Sequence, residues 1–373
     1  MATVRDILKA LDVITGGRVI TDSFGYGGAN PFVVTKTSGI PGKAVTELPG
    51  LVWGDPDMPV KKVAVMMTLT ESAIELAGAT GIDCLIAHHP IAEGSNTGGV
   101  TARDYFNLYH LAVFELHEAF HGLHPGIAWI HGSCAKHVNI RFGGVPGKIV
   151  WYGNALPEVE TLGDLLNRID TIMGTDIESR VLTSERQIRG CTEIHETSIA
   201  ARAKIFVGSP DNKLGKTITV FPHTGFSAED LEKAYAEYPE ANTVVCTISR
   251  PLPGDPLVKK AEELGLNLIA GNSHALEILE NGIPLAWALR LQIPELDIHI
   301  FRERMVSLPL DHCGCTHIEN YGETMAKPWR AIICLSQKQN NGGVYDEWWK
   351  KKDRTDRIRR PVFSRLFLFD AGS

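Results

Sequence analysis

VKKVAVMMTLTESAIELAGATGIDCLIAHHP, residues 60–90, decides the fold. VKKVAVMMTL is apolar and rich in β-branched residues, the composition of a buried strand. TESAIELAGATG opens on a capping threonine and closes on Gly81, which bounds a helix. IDCLIAHHP is a second apolar run that stops at a proline. Strand, helix and strand in this order form a βαβ unit, and a βαβ unit implies a parallel sheet. His88 and His89 therefore stand at the carboxyl end of a parallel strand, where open α/β sheets place their ligands.

Upstream, MATVRDILKALDVITGG reads as a short amphipathic helix charged at Arg5, Lys9 and Asp12. It lacks the uninterrupted apolar core of a secretory signal. Residues 18–50 are rich in Gly, Thr and Pro, with GYGGANP and SGIPGK as turn signals, and read as loops and short strands. Downstream, DYFNLYHLAVFELHEAFHG continues as a helix and a strand before breaking at Gly122 and Pro125. Residues 126–205 are mixed, with one helix around ETLGDLLNRIDTIMG. Residues 216–280 repeat the α/β rhythm: strands at KTITVFPH, NTVVCTIS and LNLIAG, helices at SAEDLEKAYAEY, DPLVKKAEELG and SHALEILENG. ELDIHIFRE reads as the last strand of this α/β core. From about residue 305 the character changes, with HCGCTH, tryptophans at 329, 348 and 349, and the basic run KKKDRTDRIRR.

The chain has 373 residues, 44% of them hydrophobic and 22% charged, enough to bury a proper core. Its formal net charge of -7 and pI near 6.1 give no electrostatic reason to expect nucleic acid or an anionic membrane as partner. No stretch approaches the length of a spanning helix. The seven cysteines are an odd, scattered set and read as reduced thiols, which points to the cytoplasm. Histidine is more informative. Eight of the fourteen fall between His88 and His137, a bias that metal binding or proton transfer explains.

Each motif has a plain reading beside its chemical one. An isolated HHP is a surface pair beside a proline; its place at a strand terminus favours function. In GNSHALEILENG, Asn272 or Ser273 caps a helix that Gly282 and Pro284 end, and His274 and Glu277 share a face at i and i+3. A carboxylate bridges two ions with its two oxygens and an imidazole does not, so Glu277 is the bridging candidate; the plain reading is a carboxylate favoured near a helix N-terminus. HEAFH, residues 117–121, matches the zinc-protease pattern HExxH, with Glu118 as base. Gly122 and Pro125 would end that helix at once and the third ligand is missing, so the peptidase reading is set aside while His121 stays a candidate ligand. HCGCTH, at 312–317, is compact enough for a soft metal, yet one CxC without a second pair is more often reduced thiols. GGVPGK is not a phosphate loop, and the basic run is a solvated helix or an oligomer contact.

In order and context these pieces resemble a known family. LPGLVWGDPDMPVKKVAVMMTLTESAIELAGATGIDCLIAHHPI is similar to the N-terminal signature of the dinuclear metal centre hexameric proteins. Some members of that family are described as GTP cyclohydrolase type-two homologues and, in eukaryotes, as transcription-factor-interacting proteins. LNLIAGNSHALEILENGIPLAWALRLQIPELDIHIF is similar to the closing signature. The similarity spans roughly residues 1–305, strongest at 50–92 and 266–301. It implies a two-lobed α/β core with parallel βαβ units, lobe one at about 1–125 with 265–305 and lobe two at about 126–264, followed by an extension over 306–373. It also implies two divalent metals, His88 and His274 serving one and His89 and His121 the other, with Glu277 touching both, and a homo-oligomer such as the family's hexameric ring. The sequence departs from the pattern in several places. His121 stands where the family has aspartate, which tilts selection towards Fe, Zn or Mn and away from Mg. Glu277 follows its histidine by three residues instead of four, Thr68 replaces an aspartate, and about 150 residues between His121 and His274 leave no room for the long members' inserted domain.

Two ions close together lower the pKa of a shared water, supply hydroxide near neutral pH and polarise an electrophile. The expectation is a metal-dependent hydrolase for a C–N bond of a cyclic amide or N-heterocycle, with a small-molecule substrate and Glu118 or His117 moving the proton. A metal-holding ring that binds a protein partner or buffers metal is the alternative, and a phosphoesterase a third.

Overall fold

In the computed structural model the described residues are 1–21, 33–37, 41–42, 44–89, 91, 102–117, 119–120, 126–134, 136–138, 150–222, 225–247, 251–271 and 274–309. All but Pro309 belong to a compact unit spanning Met1–Leu308. HCGCTH, GGVPGK and the basic run lie outside them.

The 60–90 stretch folds as its pattern predicts. Strand Lys62–Met66 leads into helix Glu71–Thr80, whose N-cap Thr70 accepts a hydrogen bond from Ala73 N. Gly81 ends the helix at φ 69°, a left-handed turn that favours glycine, and strand Cys84–Ala87 returns parallel to the first. These strands sit inside a five-stranded sheet of order Asp297–Phe301, Lys62–Met66, Cys84–Ala87, Ala112–Glu115 and Gly50–Trp53. The first four run parallel and the last is antiparallel. Alternate side chains feed two cores. Val63, Val65, Ile86 and Phe114 pack with Ile7 and Leu11 of the N-terminal helix and Leu285 and Leu289 of the last helix. Ala64, Met66, Leu85 and Val113 pack with Ile74 and Ala77 on the opposite face. A sheet covered on both faces explains why its strands read as continuous apolar runs.

A second sheet has six strands in the order Lys204–Val207, Asn267–Ala270, Ala241–Cys246, Lys216–Val220, Val150–Asn154 and Lys136–Val138. The strands at 216, 241 and 267 are parallel, with antiparallel neighbours at each side. Here too both faces are covered, by Leu231, Leu257 and Ala261 on one and Leu162, Leu165 and Ile169 on the other. The chain is thus α/β with two partly parallel sheets. Strand Asn267–Ala270 joins the six-stranded sheet and strand Asp297–Phe301 the five-stranded one, so the segment between them passes from one sheet to the other.

Two local readings change. SHALEILENG is not an α-helix ended by Gly282 and Pro284: residues His274–Leu279 form a 3-10 helix, and an α-helix then begins at Gly282 and runs to Gln292. Pro284 lies in the first turn of that helix, where its missing N–H costs no hydrogen bond. Helix Thr175–Arg189 gave no sequence signal, since it buries only Thr175 and Leu182. Among the described residues no helix is long and apolar enough to cross a membrane, and Cys84, Cys134, Cys191 and Cys246 are free thiols.

Candidate metal centre

Three parallel strands of the first sheet end side by side, and each end carries a functional group. After Met66 come Met67 and Thr68, after Ala87 come His88 and His89, and after Glu115 come Leu116 and His117. The ladder continues past the strands, with His88 N donating to Met66 O and His89 N to Met67 O. Both histidine backbones are therefore held by the sheet.

Their rings are held as well. A carbonyl only accepts, so the contact of 3.0 Å between His88 Nδ1 and Leu116 O puts a proton on Nδ1 and turns Nε2 inward. His89 Nδ1 lies 2.7 Å from Thr68 Oγ1, so its Nε2 is the inward nitrogen too. Both face Glu277: His88 Nε2 is 3.5 Å from Oε1 and His89 Nε2 is 3.2 Å from Oε2. One carboxylate thus offers a separate oxygen to each imidazole. Glu277 and His88 are buried at 2% and 1% exposure, while His89 reaches 17% and forms the open edge. Asn281 donates its amide to Glu277 Oε1 at 2.6 Å and fixes the carboxylate plane.

His117 is the third ring of the cluster, 4.9 Å from the His88 centroid and 5.9 Å from that of His89. Its Nδ1 donates to Glu47 Oε2 at 3.0 Å. Glu115, buried beneath, accepts from Leu48 N at 2.8 Å and Ile91 N at 2.9 Å. It pins both the residue after Glu47 and the residue after the HHP motif. The described part of HEAFH is a turn, Phe120 N donating to His117 O, and not the helix a zinc-protease site requires.

Of the residues singled out in the sequence, His88, His89, Glu277 and His117 come together. Glu118 and His121 lie outside the described residues. His274 begins the 3-10 helix one turn before Glu277, and its side chain lies outside the described set. Thr68, Glu47, Glu115 and Asn281 were not singled out as site groups. Thr68 stands at a position where the resembled pattern has aspartate; Glu47, Glu115 and Asn281 belong to no chemical motif, and their parts are set by contacts in the folded chain.

The donor set suits metal. Two ligands each about 2.1 Å from a tetrahedral ion stand about 3.4 Å apart, close to both separations between Glu277 and the imidazoles. The Asn281 amide faces the same pair of atoms, 2.6 Å from Glu277 Oε1 and 3.5 Å from His88 Nε2. Among the described residues no three His, Cys, Asp or Glu side chains form the shell of one ion. The divided geometry accounts for this, because Glu277 turns a different oxygen to each histidine.

Comparison with known proteins adds a family similarity over part of the chain. The model of the Duf34/NIF3 (NGG1p interacting factor 3) family matches residues 42–105, which include the βαβ unit and the HHP motif. No curated protein matches the chain. Reduced HcgD from Methanocaldococcus jannaschii is similar at a TM-score of 0.50 and 14% identity, over 80% of this chain and 97% of that one. TTHA1606 from Thermus thermophilus gives a TM-score of 0.45 at 16% identity, over 81% of this chain and 98% of its own. A Bacillus cereus protein related to NIF3 gives 0.45 at 12% identity, over 85% and 99%. At such identity the likeness to HcgD is one of fold. The match to the Duf34/NIF3 family model is confined to residues 42–105, and over that stretch the chain is similar to the family its motifs resemble.

Proposed function

We propose that the chain is a dinuclear metal-dependent hydrolase acting on a C–N bond of a cyclic amide or N-heterocycle. The observation that carries the metal reading is Glu277 dividing its two oxygens between His88 and His89. His88, His89 and Glu277 would hold two divalent ions (Fe, Zn or Mn), joined by His121 and His274. Bound metals of this kind supply a nucleophile at neutral pH and polarise a carbonyl or imine carbon. The choice of a cyclic C–N bond rests on the family resemblance.

The chain's own residues divide the remaining work. Leu116 O and Thr68 Oγ1 fix which ring nitrogen of His88 and His89 faces the centre. His88 and Glu277 are shut away from water, whereas His89 and His117 form the partly open rim at 17% and 15% exposure, so substrate approaches from their side. His117, held through Nδ1 by Glu47, turns Nε2 to proton transfer at that rim, with Glu118 as its neighbour in sequence. A small substrate, a homo-oligomeric ring and a cytoplasmic setting complete the proposal.

The test is hydrolysis of a panel of cyclic amides and N-heterocycles by protein reloaded with Fe, Zn or Mn. Turnover of at least one compound that His89→Ala abolishes is the expected result. Turnover that survives in His89→Ala contradicts the mechanism.

A further inference from the structure

Behind the candidate centre lies a second buried cluster. His131, Thr247 and Glu280 are each 0% exposed. His131 follows the short helix Gly126–Ile130, and its Nδ1 donates to Ile127 O at 2.8 Å, which leaves Nε2 as the acceptor. Thr247, at the carboxyl end of strand Ala241–Cys246, sets its hydroxyl 2.9 Å from that Nε2 and 3.4 Å from Glu280 Oε1. His131 Nε2 is itself 3.5 Å from the same oxygen. Arg168 braces the histidine from behind by donating to the carbonyls of Trp129 and Ile130. Burial pushes the imidazole down to about 4, so near neutral pH it acts as a fixed, uncharged wedge.

The ring touches both ends of the segment 271–280. Gly271 ends strand Asn267–Ala270 so close to it that a Cβ there would stand 2.7 Å from both Cδ2 and Nε2. Glu280 meets it nine residues later. Between those two points lie His274 and Glu277, two of the five candidate ligands. Glu280 and Asn281 both donate their backbone N–H to Glu277 O, so the place of Glu280 fixes where the Glu277 backbone stands.

We propose that His131, held by Thr247, is a positioning residue for the candidate centre. It fixes both ends of the segment from Gly271 to Glu280 and so aims Glu277 at His88 and His89. This rests on the reading of Glu277 as a shared ligand. It adds that the second sheet sets the geometry of a site whose histidines belong to the first.

The test uses Thr247→Val, Thr247→Ser and Gly271→Ala in the full chain, with two readouts. The ring nitrogens of His88 and His89, followed by 15N NMR in metal-free protein, report their contact with Glu277. Titration with Mn(II) reports affinity. Thr247→Val is expected to shift both rings and weaken Mn(II) binding about tenfold, the usual cost of losing a supporting partner. Thr247→Ser should restore both, and Gly271→Ala, which presses on the ring from the other side, should reproduce the loss. Wild-type rings and affinity in Thr247→Val and Gly271→Ala overturn the proposal, as does a Thr247→Ser variant impaired as fully as Thr247→Val. Should Thr247→Val fail to fold, Gly271→Ala decides alone. Should the wild-type chain take up no Mn(II), the metal reading falls, and the metal-free ring shifts still decide this one.

Discussion

Asn281 and Glu277 are four residues apart, and the amide of one holds the carboxylate of the other at 2.6 Å, deep in the protein. That bond leaves Oε2 of Glu277 turned to His89 while Oε1 faces His88. Removing it frees the carboxylate to rotate out of the position both imidazoles need. Asn281→Ala is expected to lower metal affinity about 10- to 100-fold with the fold retained. Competition with a chromophoric chelator measures this, with far-UV circular dichroism as the control for folding. Unchanged affinity would sink the idea that the carboxylate's orientation matters.

Thr68 offers a second test. Its hydroxyl meets His89 Nδ1 at 2.7 Å, in a position where the family pattern has aspartate. A hydroxyl orients an imidazole but polarises it less than a carboxylate does. Thr68→Val should weaken metal binding by about tenfold or more, and Thr68→Asp should hold metal at least as tightly as the wild type. Equal affinities across the three proteins would show that the contact plays no part.

The buried imidazole of His131 makes stability depend on pH in a known direction. Its ordinary value is 6.5 and burial lowers it to about 4 in the folded chain. As pH falls through that window the unfolded chain takes up the proton first, so folding loses stability on acidification, and the loss is complete below about pH 4. The full effect is of the order of 3 kcal/mol, at about 1.4 kcal/mol per unit. His131→Gln lacks this group, so its stability deficit in urea unfolding should shrink as pH drops from about 7 to about 4. A constant deficit contradicts the assignment.

The helix of the βαβ unit gives a structural control. Thr70 caps it through a side-chain bond from Ala73 N at 3.2 Å. Thr70→Ala should cost about 1 kcal/mol in urea unfolding, and Thr70→Ser should cost much less. Metal content should not change in either. A loss of metal in Thr70→Ala with the helix intact would link this cap to the site in a way the contacts do not show.

The strands and capped helices were legible because their causes are local. Thr70 and Gly81 bracket one helix, and Thr161 and Gly174 another. Val63 and Val65 alternate with Ala64 and Met66 between two cores. The histidine pair was legible for a similar reason, since a strand ending in HHP says where the rings stand. Helix Thr175–Arg189 was not, because a polar helix that buries so little leaves no apolar period to read. Nor was the turn at Gly282, where glycine and proline signal a helix end as readily as a start and packing against the first sheet decides. The contacts of Thr68, Glu47, Asn281 and His131 with their partners cross the fold or lie inside one buried turn. Composition and spacing carry no trace of them.

Metal content per chain tests the central claim most directly. Elemental analysis of protein purified without chelators, alongside Glu277→Ala, should find two divalent ions in the wild type and a substantial loss of both in the variant. A wild-type chain with no metal, or a variant that keeps both ions, would contradict it.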